Sequence, residues 1–310
     1  MQCVQRTGVW ISAVAAFAIL GGVGLVAVGM MRHQHTDGGT VPLAGTFDEA
    51  QALAASPTPT GPSPEQIAAT KRAAQVKALN AALTAYAKTV PEFSVAVLDR
   101  RTGARFSFRG TTKYETASVV KVQVLSCLLL TAQDKDRSLT SAELALAKLM
   151  IRASDNDATT SLFLRLGEAS GLTSCNRRMG LTATRVSSSW GLTRTTVNDQ
   201  VKLLSQLVDT RSPLTVKSRN LAFDLMSTVE RDQNWGVPVV AAAGEKTTVK
   251  NGWLPRETEG DKWIINTVGR VTDGDTDVSI AVLSHDNASM PSGIKVVEKA
   301  AKLTRQYLKY

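Results

Sequence analysis

Residues 116–125 read "TASVVKVQVL", an apolar run in which Ser118 and Lys121 stand three positions apart. The run has the composition of a buried helix start, and residues three apart on a helix share a face within side-chain reach. A serine hydroxyl is a poor nucleophile at its ordinary pKa and needs a neighbour that takes its proton. Lys121 is walled by Val119, Val120, Val122 and Val124, and desolvation of its cation moves its pKa down toward the range of a useful base. A helix start also aims backbone N–H groups at developing negative charge. The pair alone is weak evidence, because a capping serine and a lysine reaching toward water give the same spacing.

Two further short elements follow. Residues 154–156 read "SDN", after the helical-period stretch "SAELALAKLMIRA", and residues 250–252 read "KNG", at the end of the strand-like "KTTV" and before Trp253. Working outward, "PEQIAATKRAAQVKALNAALTAYAKTV" carries Pro near a helix start and apolar residues at helical spacing. "EFSVAVLDRRTGARFSFRG" alternates as a hairpin around Gly103. Helical patterns occupy roughly 118–230, then "EKTTVKNGWL", "WIINTVGRV" and "DVSIAVLS" read as strands and 292–309 as a closing helix. Two early and three late strands around inserted helices predict an α/β (α+β) sandwich. It is a five-stranded antiparallel sheet with helices on both faces and an all-helical subdomain.

Ser-x-x-Lys, Ser-Asp-Asn and Lys-(Thr/Ser)-Gly in this order form the motif set of the penicillin-recognising serine enzymes. The chain resembles that family over roughly residues 66–310, and within it the class A β-lactamase branch, which is related to the DD-peptidases. The resemblance implies that Ser118 is the acylated nucleophile and Lys121 its proton acceptor. Ser154 would relay a proton to the leaving nitrogen, and Asn156 would hold the substrate's amide side chain. Lys250 would supply positive potential toward the substrate carboxylate and toward Ser154. The backbone N–H groups of Ser118 and Trp253 would form the oxyanion hole, with Asn251, Gly252 and Arg256 as further substrate-binding positions. The mechanism implied needs no metal and no cofactor.

Two departures qualify the resemblance. Class A β-lactamases carry a loop glutamate that activates the deacylating water. Here residues 169–198 contain no Asp or Glu, and the flanking acids are Glu168 and Asp199; Glu168 falls early for that role. Loss of a general base costs about 10²–10⁴-fold, so deacylation is expected to be slow while acylation persists. The second departure is Asn251, where the family has Thr or Ser; an amide still donates a hydrogen bond but with different reach. Trp235 reads as a packing residue, Trp190 beside Gly191 as core packing with a place at the cleft mouth as the alternative, and His285 as a solvated turn residue.

The 310 residues carry a net charge of +9 and a pI of about 9.6. The basic residues are scattered, which argues for a solvated basic surface and against a nucleic-acid groove. The three cysteines, Cys3, Cys127 and Cys175, and the three histidines show no metal-ligand spacing. Cys127 and Cys175 are either one disulfide of an exported domain or two buried thiols. Residues 9–31 contain no charge, a length that spans a bilayer as a helix. The alternative is a cleaved signal peptide with a small-x-small site at Ala27-Val28-Gly29.

The expected organisation is therefore a short cytoplasmic N-terminus and anchor over 1–31, a Pro/Ser/Thr/Gly tether over 32–65, and a serine hydrolase domain over 66–310. The expected protein is a single-pass membrane-tethered monomer, or a secreted one if the segment is cleaved. It would be acylated outside the cytoplasm by β-lactams or D-Ala-type peptidoglycan peptides and deacylate slowly. Its rivals are an efficient β-lactamase with a different deacylation base and a non-hydrolytic penicillin-binding-like recognition module.

Overall fold

The computed structural model describes residues 61–310. The uncharged stretch 9–31 and nearly all of the tether lie outside the described residues, and no helix among the described residues is long and apolar enough to cross a membrane. The first helix, α1 (Pro64–Tyr86), begins just upstream of the boundary read at 66, and its start is chemically defined. Ser63 Oγ accepts from Gln66 N at 3.2 Å while Gln66 Oε1 accepts from Ser63 N at 2.7 Å, a reciprocal cap that satisfies otherwise orphaned donors. Pro64 at the first helical position forgoes no hydrogen bond.

Strands β1 (Phe93–Asp99) and β2 (Arg105–Phe108) form the hairpin, with Gly103 at φ 71° in its turn. A two-residue β3 (Tyr114–Glu115) leads to α2 (Val120–Gln133). The helical middle continues through α3 (Ser141–Lys148), α4 (Asn156–Arg165) and α5 (Glu168–Met179). After β4 (Arg194–Thr195), which pairs with β3, come α6 (Val197–Gln206) and α7 (Val216–Ser227). Strands β5 (Lys246–Arg256), β6 (Lys262–Thr272) and β7 (Asp277–Asn287) and the closing helix α8 (Met290–Leu308) complete the chain.

The five long strands make one antiparallel sheet in the order β2-β1-β7-β6-β5. Strand side chains alternate between faces, and two cores result. Val95, Val97, Ile280 and Val282 face the layer built by α1 and α8. Ala96, Leu98, Ala281 and Leu283 face the helical side, where α6 packs on β1 and β7. The axis of the helical side is α2, buried along nearly its whole length, which is what a helix apolar on every face requires. Cys127 of α2 and Cys175 of α5 are joined as a disulfide, which settles the alternatives left open by the sequence.

Candidate active site

Ser118 lies in a 3₁₀ turn, Ala117–Val119, directly ahead of α2. The turn is constrained from several directions. Ala117 is buried in a left-handed conformation, φ 45°, a strained state for a residue with a Cβ. Asn266 of β6 donates to the carbonyls of Glu115 at 2.8 Å and Thr116 at 3.0 Å. Gly252 of β5 runs past the turn so closely that a Cβ there would stand 2.7 Å from Ser118 N and 2.8 Å from Val119 N. Only glycine permits that approach. Ser118 itself is half-buried, and its hydroxyl makes no hydrogen bond among the described residues.

Behind it, two fully buried lysines converge on one hydroxyl. Lys121 Nζ donates to Ser154 O at 2.5 Å, Asn156 Oδ1 at 2.9 Å and Ser154 Oγ at 3.1 Å. Lys250 Nζ, from β5, donates to the same Ser154 Oγ at 2.9 Å and to Asn251 O at 3.0 Å. Ser154 is aimed by its backbone: it ends a single π-helical turn (Leu149–Ala153) in a left-handed conformation, φ 59°. Asp155 then caps α4 by accepting from Ala158 N at 2.7 Å, which places Asn156 at the helix start beside Lys121. Burial pushes the Lys121 amine down to about 7, against the upward pull of the nearby Asp155 carboxylate. Burial also holds Lys250 well below its ordinary value, and the neighbouring Lys121 acts in the same direction. Two amines with weakened proton affinity on either side of one hydroxyl make a short proton-transfer chain.

The other sequence-predicted residues separate into two groups. Gly252 and Trp253 lie alongside the Ser118 turn in β5. Asn251 is buried and turned elsewhere, its Nδ2 donating to the carbonyls of Gln233 at 2.8 Å and Trp235 at 2.9 Å. Arg256 pairs with Glu259 at 2.7 Å and lines a cavity of about 550 Å³ with Glu168, Trp190, Leu254 and Pro255. Asp199 is buried as a structural acceptor, from Thr184 Oγ1 at 2.6 Å and Ala183 N at 3.0 Å. Trp235 packs near Trp253, their ring centroids 6.1 Å apart. His285 is not in a turn: it sits in β7, its ring nitrogens 2.7 Å from an Asp286 carboxylate oxygen and 3.3 Å from a Glu92 one, and packs on Tyr114. Trp190 packs against the helical core and lines the cavity, the two readings the sequence offered, and it also lays its ring over Lys121 Nζ at 5.2 Å. Its sequence context, "SSSWG", carries no signal of that contact.

The fold is that of the class A β-lactamases. A β-lactamase from Xanthomonas campestris superimposes with a TM-score of 0.66 at 17% identity, over 76% of this chain and 98% of that one. A class A β-lactamase from Mycobacterium abscessus gives 0.64 at 18% identity, over 75% of this chain and 100% of that one. Residues 142–308 match the model of the Beta-lactamase enzyme family, Beta-lactamase2, and the chain belongs to that family. Ser154 and Lys250 lie inside the matched segment, and Ser118 and Lys121 lie ahead of it. The putative lipoprotein LppW of Mycobacterium tuberculosis is 29% identical over 169 residues, 52% of this chain and 54% of that protein. The chain thus spans about half the length of the curated relatives it matches.

Proposed function

We propose that this protein is an extracytoplasmic active-site-serine hydrolase that forms an acyl-enzyme with β-lactams or D-Ala-type wall peptides and releases it slowly. The observation that carries this reading is Ser154 Oγ held between Lys121 at 3.1 Å and Lys250 at 2.9 Å, beside a serine whose hydroxyl is uncommitted. In the acylation step, Ser118 Oγ attacks the substrate carbonyl carbon as its proton passes to neutral Lys121. The N–H groups of Ser118 and Trp253 stabilise the oxyanion. The C–N bond then breaks while Ser154 gives its proton to the leaving nitrogen and is recharged from the lysine pair, leaving an ester on Ser118. Asn156 orients the acyl side chain. With the Asn251 amide committed to Gln233 and Trp235, recognition of the substrate carboxylate falls to Lys250 and Arg256. Hydrolysis of the ester lacks a loop carboxylate, since residues 169–198 contain none.

We assign the uncharged run 9–31 as the membrane anchor, and a curated relative that carries the name of a putative lipoprotein supports an extracytoplasmic, membrane-attached form. External protease on intact cells should release the globular domain from the membrane fraction; recovery of a soluble form beginning near Met30 would replace the anchor with a cleaved signal. For the chemistry, a mass-tagged penicillin should add one equivalent at Ser118, lost in Ser118→Ala, and nitrocefin should give a burst near one equivalent followed by slow release. Rapid steady turnover would make the protein an efficient β-lactamase. Absence of any adduct would leave a recognition module.

A further inference from the structure

One residue, Trp190, touches both the lysine network and the 550 Å³ cavity. The Trp190 ring lies over Lys121 Nζ at 5.2 Å, and the same residue forms part of the cavity wall with Glu168 and Arg256. The ring is held in place. Its indole N–H donates to Thr160 Oγ1 at 3.2 Å, from the helix whose first residue, Asn156, accepts from Lys121. The adjoining Gly191 carbonyl accepts from Thr116 Oγ1 at 3.4 Å, two residues ahead of Ser118. The turn carrying Trp190 is therefore tied to both sides of the site.

We propose that Trp190 is a positioning residue that bars water from Lys121 and the Ser118 ester, and so sets the lifetime of the acyl-enzyme. The inference rests on the acylation reading above. An indole face replaces the water shell of a lysine with a weak attraction to the cation, and its bulk fills the volume through which water would approach. On the far side of the ring, the cavity is large enough for several waters at roughly 30 Å³ each. Glu168, exposed and in a left-handed conformation at φ 55°, lines it. The cavity that Glu168 lines thus meets Trp190, and Trp190 meets Lys121. Removing the ring joins cavity and lysine. A water then gives its proton to Glu168 as its oxygen bonds to the ester carbonyl carbon, and the C–O bond to Ser118 breaks. The proton taken up by Glu168 then passes by way of Lys121 to Ser118 Oγ, so Glu168, Lys121, Ser118 and the free acid are all regenerated.

The charged groups that face Lys121 are Lys250, across Ser154 from β5, and Asp155, ahead of α4. Both are unchanged in Trp190 variants, so a moved titration reports the ring. The test uses the full chain with Trp190→Ala, Trp190→Phe and Thr160→Val. Nitrocefin supplies the burst and the release rate, and the Lys121 titration is followed by NMR of ¹³Cε-labelled lysine, assigned with Lys121→Met. Trp190→Ala is expected to release the acyl group about tenfold faster, a tenth or less of what a full general base supplies. Adding Glu168→Gln should return release to the slow rate. Trp190→Phe keeps a ring over the amine and should stay within about threefold of the parent. In Trp190→Ala, admitted water should move both the Lys121 midpoint and the alkaline-rising limb of acylation to higher pH. Thr160→Val loosens the ring without leaving a hole and should move both readouts part of the way, so it decides the matter if Trp190→Ala does not fold. Unchanged release in Trp190→Ala and Thr160→Val, with Ser118 still acylated, overturns the proposal. If the parent forms no adduct at Ser118, the acylation reading fails on its own, and an unmoved Lys121 midpoint in Trp190→Ala then overturns the barrier separately.

Discussion

At Gly252 one hydrogen atom in place of a methyl group decides whether β5 can lie against the nucleophile turn. The atoms that an added Cβ would strike are backbone, Ser118 N at 2.7 Å and Thr116 O at 2.8 Å, and backbone cannot swing aside as a side chain can. Gly252→Ala should therefore displace Ser118 and abolish acylation by a reporter penicillin, with an overpacking cost of about 1–3 kcal/mol in the thermal midpoint. Undiminished labelling would show that the turn has slack. Lys121 supports a second prediction at this scale. Acylation needs its neutral amine, so the rate should rise with pH through a midpoint near 7. The lowered proton affinity also has a stability sign. Because the folded-state value of about 7 lies below the ordinary 10.5, the unfolded chain binds the extra proton between them, and stability rises with pH across that window. Below it the penalty on the folded state is complete. Lys121→Met should thus abolish acylation yet stabilise the protein at pH 6, by an amount on the order of 2–4 kcal/mol, since a tenfold loss of proton affinity is worth about 1.36 kcal/mol. The gain should fade toward pH 10. A Met variant less stable than the parent at pH 6 would mean that the three hydrogen bonds of Nζ outweigh its desolvation.

Among the elements, α3 shows how a helix start couples to a charge pair. Thr140 and Glu143 form a reciprocal cap, and the Glu143 carboxylate also takes both guanidinium nitrogens of Arg137, at 2.7 and 2.9 Å. The Arg137 hydrogen bonds, chiefly, hold that carboxyl down at about 2. A lowered acid stabilises the fold above its unfolded value of 4.5, and the contribution is lost as pH falls through about 2. Urea denaturation of Glu143→Gln should show a loss of about 1–2 kcal/mol at pH 7 that disappears by pH 2; a loss independent of pH would assign the effect to the cap alone. The elements themselves were legible where the signal is local. The alternation around Gly103, the three closing strands and the Pro at the start of α1 are short-range patterns, and so are Ser118–Lys121, "SDN" and "KNG". What could not be read was direction. Asn251 turns to carbonyls of a segment many residues earlier, Trp190 finds Lys121 across most of the helical middle, and His285 proved to extend β7. Each depends on which distant strand or loop arrives beside it, and neither spacing nor composition encodes that.

For the molecule as a whole, the site lies where the sheet meets the helical subdomain. β5 and β6 supply Lys250, Gly252 and Asn266, while the helical side supplies Ser118, Lys121, Ser154 and Asn156. The two sides are clamped differently. On the helical side, the Cys127–Cys175 disulfide closes a separation of 48 residues between α2 and α5. In the chain-entropy view, such a loop destabilises the unfolded state by about 4 kcal/mol. The nucleophile turn is instead held from the sheet, by the Asn266 hydrogen bonds at 2.8 and 3.0 Å and by the close passage of Gly252. Stability and acylation should therefore come apart. Cys127→Ala with Cys175→Ala should lose up to about 4 kcal/mol in urea denaturation, while the acylation rate at temperatures where the variant remains folded stays within about twofold of the parent. Asn266→Ala leaves the disulfide intact but frees the Glu115 and Thr116 carbonyls, and should slow acylation far more than the cysteine pair does. Slow acylation in the folded cysteine variant would mean that the disulfide, through α2, sets the position of Lys121. The sheet alone would then not be enough to hold the site.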